Sequence, residues 1–479
     1  MNKDERMNYL YSVIYRMSIC VLPLVVTSYI ARVLGAENTG LYAFSSTVAC
    51  YFIMFGKLGL DNYGSRTIAS CKDDAQNLSL AFFGIFVMQM ITSILSISVY
   101  ILLTVTVFKN NQIIYWLQLI YVGAILFDYS WFFYGLEKFK ITTIRSLISR
   151  LLIIIGVFAF VKSKDDLPVY TGIMAACFLL EQLFLLPFLI GKVDRVRLRK
   201  EDIICHIAPN LKLFVPLLAL SIYNWMDKIM LGAMLKSTAV VAFYTYAENI
   251  INLPKGILTA LDTVMLPRIS SLAAKSHKEE GIRKMLNSVR VNSFIACALA
   301  FGIAGLAPNF IPWFLGQEYR PSIILTMQLS AAIIPMSITN VIQTQYLIPF
   351  KKEKTYIKSV SLGALINFIL NAVLIPLYGA AGAVIGTLAA ETAVCIYLFT
   401  RIKNIMGFKE LFSALCPYLL CGVLEFIVVY ILLNLKIPAF LLLIIQVIAG
   451  GCIYVSSNLI FAIYIKKEYR NLKEIIDRI

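Results

Sequence analysis

Apolar residues along this chain gather into long runs separated by short polar breaks. Fourteen runs can be read, at roughly 9–34, 39–60, 78–107, 113–135, 141–161, 168–190, 209–235, 240–267, 289–315, 322–350, 357–378, 380–400, 412–434 and 438–465. Each reaches the roughly 20 residues a helix needs to cross the hydrocarbon of a bilayer. The pattern predicts an all-α polytopic membrane protein of about fourteen transmembrane helices. The eighth run breaks the rule of apolarity. It carries Tyr244, Glu248, Asn252, Lys255, Thr259 and Asp262 at steps of four, four, three, four and three. At roughly 3.6 residues per turn these positions form one polar stripe down a single helix face. Charge facing lipid costs several kcal/mol per group, so the stripe must face protein or water. Buried ion pairing between helices is the plain explanation, and the wall of a substrate pathway is the functional one.

Composition agrees with the pattern. The chain has 479 residues, a mean hydropathy of +0.79 and 15% charged residues, against about 25% in soluble domains. Lys and Arg number 43 against 27 Asp and Glu, a net +16. This excess is scattered through short loops between apolar runs, so it is better explained by the positive-inside rule than by nucleic-acid binding. Of the 43 cations, 31 fall in the two tails, in one alternate set of loops or at the run ends that adjoin them, Arg145 among them, and 6 in the opposite loops. Both termini are therefore expected in the cytoplasm. The first run is too long for a signal-peptide core and no A-x-A-like site follows it, so it is expected to be an uncleaved first helix.

The opposite loops are short and leave no room for an extracytoplasmic catalytic domain. Two cytoplasmic segments have helical spacing of apolar residues beside basic ones, Ile282, Met285, Leu286 and Val289 in one and Leu472, Ile475, Ile476 and Ile479 in the other. They are expected to lie as amphipathic helices on an anionic leaflet, with a solvated face as the plainer option for the tail. Ten cysteines include no CxxC pair, and the two histidines, His206 and His277, sit in cytoplasmic loops. Neither disulfides nor a metal site is expected. No nucleophile–base pairing and no phosphate-loop or dinucleotide fingerprint is present.

A weak internal repeat relates the first two runs to the seventh and eighth. Pro23 and Pro216, Leu34-Gly35 and Leu231-Gly232, and Tyr42 and Tyr244 correspond at separations of 193, 197 and 202 residues. Six runs separate the copies, so both have the same orientation, as in transporters built from parallel repeats. Those four runs also hold Arg16, Arg32, Lys57, Lys228 and Lys255. Arg32 is close enough to the membrane edge to snorkel. Arg16, Lys57, Lys228 and Lys255 are the candidate anion-binding residues. Asn224, Tyr244, Asn252 and Thr259 are candidates to hydrogen-bond sugar hydroxyls, and Asp227, Glu248 and Asp262 are candidates for ion coupling. Pro23, Pro216 and Pro254 free backbone carbonyls and permit bending. The aromatic run Tyr129–Tyr134 is expected to be an interfacial belt, with sugar stacking as the alternative. Gly379, Gly382 and Gly386 are expected to allow close helix contact.

Several segments resemble oligosaccharide flippases of the Wzx type, in the superfamily that includes MATE drug exporters and the lipid II flippase MurJ. They are "ARVLGAENTGLYAFSS" at 31–46, "GLDNYGSRTIA" at 59–69, "WFFYGLEKFK" at 131–140, "YNWMDKIMLG" at 223–232, "YTYAENI" at 244–250, "LPRIS" at 266–270 and "LYGAAGAVIGTLAAE" at 377–391. The resemblance covers residues 9 to 460. It implies two pseudo-symmetric six-helix lobes around a central cationic cavity, 1–207 and 208–407, and an extra helix pair with an amphipathic cytoplasmic tail at 408–479. It implies a bacterial inner-membrane flippase, not an enzyme, that moves a polyprenyl-diphosphate-linked oligosaccharide to the outer leaflet for cell-surface polysaccharide synthesis by alternating access. The family's first-helix arginine corresponds to Arg16. Expected partners are the lipid-linked glycan, membrane lipids and other glycan-assembly proteins, with no cofactor beyond H+ or Na+ as coupling ion. The rival function is an ion-coupled MATE-like exporter of small cations, which would need acidic groups to dominate the cavity. A glycan polymerase would be expected to carry a sizeable outer loop.

Overall fold

A computed structural model of the chain describes residues 3–274, 278–405 and 407–462, with side chains from residue 26 onward except at 253, 274, 278, 408–410, 413 and 414. Among these residues the secondary structure is entirely helical. The helices are α1 (Lys3–Lys57), α2 (Leu60–Cys71), α3 (Ala75–Thr106), α4 (Gln112–Gly123), α5 (Ser130–Gly135), α6 (Phe139–Phe160), α7 (Leu167–Leu183), α8 (Leu186–Leu189) and α9 (Lys200–Met234). They continue with α10 (Ala239–Ala274), α11 (Lys278–Phe314), α12 (Pro321–Ser330), α13 (Ile333–Ile342), α14 (Glu353–Tyr378), α15 (Ala380–Ile402), α16 (Phe408–Ile431) and α17 (Ala439–Ile460). With no water in hydrocarbon to satisfy backbone groups, helices that close their own hydrogen bonds are the expected solution.

Twelve helical stretches among the described residues are long and apolar enough to cross a membrane. The first of them includes a kink at Gly35, whose φ of 75° divides α1 into two arms. That backbone region is open to glycine at little steric cost. Helix α10 carries the polar stripe and is not one of the twelve. Counting both arms of α1 and adding α10 gives fourteen helices, as the apolar runs predict.

The chain forms two compact units, Met1–Ala242 and Phe243–Ile479. In the first, α9 packs against α1, α2 and α3. Tyr51 fixes this contact: its hydroxyl donates to the Ser221 carbonyl at 3.1 Å and its ring meets Trp225 edge-on. The fourth apolar run is interrupted within this unit. Helix α4 ends in a 3-10 turn at Ala124–Phe127, Asp128 is extended, and α5 then begins. Buried Gln89 on α3 donates to the freed carbonyls of Ile125 and Asp128 at 2.7 and 3.1 Å and accepts from the Trp131 indole at 3.0 Å. A side-chain amide thus satisfies a break that lipid could not.

Trp131, Phe132 and Phe133 do not form the expected interfacial belt. They are buried with Leu60, Phe82, Ile85 and Met88 in the core of the first unit. Rings packed on every side have no face left for a sugar. His206 also leaves its expected loop: it lies buried in α9, with Nδ1 2.6 Å from the Tyr63 hydroxyl.

The second unit is built on α11, which packs against α12, α13, α16 and α17. Met285 and Val289 are buried in its core with Ile269, Ile338 and Val341. Residues 282–289 are thus the start of a spanning helix rather than a segment on the leaflet, because tertiary packing takes up the apolar face that the sequence offered to lipid. The segment from Lys466 lies outside the described residues, as does His277. Helices α14 and α15 form a close pair around Gly379, which has φ 59°. A Cβ at Gly382 would stand 2.3 Å from the Leu374 carbonyl oxygen, so only glycine permits this approach. The added pair α16 and α17 docks through polar contacts: Asn309 donates to the Ala439 carbonyl and to Gln446, and Gln446 donates to the Val429 carbonyl at 2.9 Å.

Candidate functional site

In the first unit, charge gathers beside the break in the fourth run. Lys57 ends α1, where its Nζ lies 2.6 Å from Asp128 Oδ2 and 2.7 Å from Asp61 Oδ1. Asp128 also accepts from the backbone N–H of Ser130 at 2.9 Å and from the Ser130 hydroxyl. Arg145, counted above as a loop cation, is instead buried in α6. It pairs with Glu181 at 3.3 Å and donates to Gln182 at 3.2 Å, both on α7. Ser146 donates to the same Glu181 carboxylate at 2.6 Å. Asp128, Arg145 and Glu181 were absent from the sequence-derived candidates. Their signal was present, as ionisable residues inside or at the edge of apolar runs, but charge counting assigned Arg145 to a loop.

Lys57 therefore sits in a buried ion pair, and an anionic ligand would compete with two carboxylates for it. On α9, Asn224 is exposed, Asp227 is buried and Lys228 is half-buried. The two charged groups point apart, as their adjacency on a helix requires, and each engages a neighbour. Lys228 acts electrostatically on Cys50 of α1, and Asp227 on Tyr51. This brings the seventh run against the second within one unit. The side chain of Arg16 lies outside the described residues.

The stripe on α10 divides into three parts. At one end Tyr244 is buried, with its hydroxyl 3.2 Å from Thr387 of α15. Glu248 follows, half-buried and engaged with a neighbour. At the other end Asp262 is buried and accepts from Asn292 and Gln345. Between these ends Asn252 and Thr259 are exposed and Lys255 is half-buried. Lys255 donates to Asn252 at 3.3 Å and has no carboxylate partner among the described residues. The middle of the stripe is thus not consumed by ion pairing within its unit. An accessible lysine flanked by an amide and a hydroxyl can hold an anion and hydrogen-bond a polyol.

A separate open cleft of about 530 Å³ lies in the second unit, lined by Tyr346, Lys351, Lys352, Lys354 and Arg401 among others. Lys352 stands over the Tyr346 ring at 4.3 Å. Its cations belong to the basic set of loops and suit an anionic membrane surface. No group of three or more His, Cys, Asp or Glu able to hold a metal ion occurs among the described residues.

Comparison with known proteins places these features in context. Residues 6–273 match the family model described as "Polysaccharide biosynthesis protein". The chain is 26% identical over 404 residues to the "Putative O-antigen transporter" of Escherichia coli (strain K12), covering 83% of this chain and 97% of that protein. Among solved structures, the lipid II flippase MurJ in an inward closed conformation superposes with a TM-score of 0.76 at 17% identity, covering 95% of this chain and 99% of that one. An inward-facing multidrug resistance MATE transporter of the MOP superfamily gives 0.61 at 14% identity, covering 83% and 98%.

Proposed function

Because the chain belongs to the polysaccharide biosynthesis protein family, we propose that it is a flippase for a lipid-linked glycan. It translocates a polyprenyl-diphosphate-linked oligosaccharide from the cytoplasmic to the outer leaflet of a bacterial inner membrane, by alternating access, with both termini cytoplasmic. The observation that carries this function is the accessible centre of the α10 stripe, where Lys255 stands with Asn252 and Thr259 on a helix that also holds buried polar groups at both ends. The relative of E. coli is named a transporter and the structural neighbour a flippase, which supports transport rather than catalysis.

Sugar hydroxyls lose water on entering hydrocarbon and need replacement partners. Asn224, Asn252 and Thr259 would supply them, and Tyr244 would join them only by leaving Thr387. Arg16, Lys228 and Lys255 would attract the diphosphate, and Lys57 would join them only by leaving Asp128. Asp227, Glu248 and Asp262 would serve ion coupling to H+ or Na+. The division at 1–207, 208–407 and 408–479 belongs to the same proposal and is supported by the repeat. Export of small cations is less well supported, because Asp61, Asp128 and Glu181 are already matched to Lys57 and Arg145.

The test is reconstitution into liposomes with a fluorescent polyprenyl-diphosphate oligosaccharide in one leaflet. Protein-dependent transfer to the other leaflet, lost in Lys255→Met, is the expected result. No transfer together with uptake of cationic dyes would overturn the proposal in favour of a MATE-like exporter.

A further inference from the structure

The C-terminal half of α10 holds a polar centre whose bonding is incomplete. Asp262 is 2% exposed, and its Oδ1 accepts from Asn292 Nδ2 of α11 at 3.0 Å and from Gln345 Nε2 at 2.9 Å. Gln345 is fully buried in a π turn, Gln343–Leu347, that follows α13. Asp262 Oδ2 and Gln345 Oε1 are both buried without a hydrogen-bond partner. These two atoms belong to groups already joined through Oδ1 and Nε2. An ionised carboxylate and an amide carbonyl only accept, so neither can satisfy the other. Two idle buried acceptors on one hydrogen-bonded pair of side chains are a costly arrangement for a packed interior.

Among the described residues the neighbouring elements supply no compensating cation, and Lys255 on α10 itself lies two turns from Asp262. Around this centre α10, α11 and α13 meet through Met265, Ile269, Met285, Val289, Val341 and Ile342. Arg268 on α10, Arg283 and Arg290 on α11, and Lys351 and Lys352 after the π turn are exposed. Lys284 on α11 pairs with Glu280, and Lys352 is held by Tyr346. Glu391 lies on α15, which packs on α13, and would oppose rather than balance a second negative charge.

We propose that Asp262 and Gln345 form a proton-binding site. A hydronium ion transfers H+ to Asp262 Oδ2 and leaves as water, and the new O–H donates to Gln345 Oε1. With the existing bond from Nε2 to Oδ1, this closes a two-bond ring between a carboxylic acid and a primary amide, and both idle acceptors are satisfied by one proton. Release of the proton breaks one of the two bonds that tie α10 to the π turn. A π turn holds an extra residue within its hydrogen-bonded ring, and such single turns occur frequently at functional sites. As the seat of the coupling ion the site rests on the transport function proposed above; its chemistry does not.

The full chain, purified in detergent, tests the site by infrared difference spectroscopy between wild type and Asp262→Asn. Asparagine reproduces the protonated geometry, since its Nδ2 donates to Gln345 Oε1 while its Oδ1 keeps both donors. The variant is expected to fold and to remove one protonated-carboxyl stretch that wild type loses on alkalinisation. Gln345→Leu keeps Asp262 and should move that stretch to higher frequency, which provides the test if Asp262→Asn is poorly folded. A difference spectrum showing only ionised-carboxylate bands from acidic to mildly alkaline pH would overturn the proposal. So would a wild-type melting temperature that rises with NaCl, relative to KCl, and loses that rise in Asp262→Asn, because a metal cation would then occupy the site. In liposomes a pH gradient should accelerate glycan flipping by wild type and leave Asp262→Asn unchanged. The expected carboxyl band in a protein that flips no glycan would support the site and count against the transport function alone.

Discussion

Replacing Lys57 with methionine tests whether the charge cluster of the first unit is a clamp or a ligand site. The Lys57 and Asp128 side chains are 14% and 6% exposed at a separation of 2.6 Å. Removing one member of such a buried pair typically costs about 3–5 kcal/mol, because the other charge stays buried without its partner. Asp128 keeps the Ser130 N–H and hydroxyl, which places the expected loss near the lower end, about 3 kcal/mol. Loss of the Asp61 contact adds little, since that side chain is 55% exposed and exposed i,i+4 pairs contribute about 0.3–0.5 kcal/mol. Asp128→Asn should cost less, about 1–2 kcal/mol, because Lys57 keeps Asp61 and can extend toward water. The double variant should regain most of the Lys57→Met loss, a coupling within the roughly 0.5–3 kcal/mol range of contacting residues. The assay is the unfolding midpoint in detergent together with membrane abundance. A Lys57→Met protein of wild-type stability that has lost only glycan export would refute the clamp and return Lys57 to the diphosphate site.

Lys255→Met should abolish export with a stability change under about 1 kcal/mol, since no buried carboxylate is stranded; strong destabilisation rescued by neutralising Glu248 would show the stripe to be scaffolding. Arg16→Ala should eliminate export at normal membrane abundance and Arg16→Lys should retain part of it, because charge survives while the planar fork is lost; an exporting alanine variant would exclude Arg16 from the site. Gly382→Ala should destabilise the α14–α15 pair by about 1–3 kcal/mol through collision with the Leu374 carbonyl, read as a lowered unfolding midpoint. In a cysteine-free background, cysteines at Lys236 and Lys436 should react with an impermeant thiol reagent from outside and those at Lys200 and Lys354 should not; the reverse pattern would invert the orientation.

Hydropathy alone was enough to predict the helical class and the number of helices, because lipid offers backbone groups no partners and leaves long helices as the available answer. The α10 stripe was equally legible, since a period of 3.6 places six polar residues on one face whatever surrounds them. Which part of that stripe is accessible depended on partners distant in sequence, such as Thr387 against Tyr244 and Gln345 against Asp262. Burial of an aromatic run gave no local signal: Trp131, Phe132 and Phe133 look the same in an interfacial belt and in a core, and the decision lay with Gln89 and Phe82 on α3. The same holds for Arg145, which resembles a loop cation until α7 brings Glu181 to it, and for Lys57, whose partner Asp128 is 71 residues away. Local sequence sets the period of a helix and its preference for lipid or water. Only the packed tertiary structure decides whether a charge meets its counter-charge or is left accessible to a ligand.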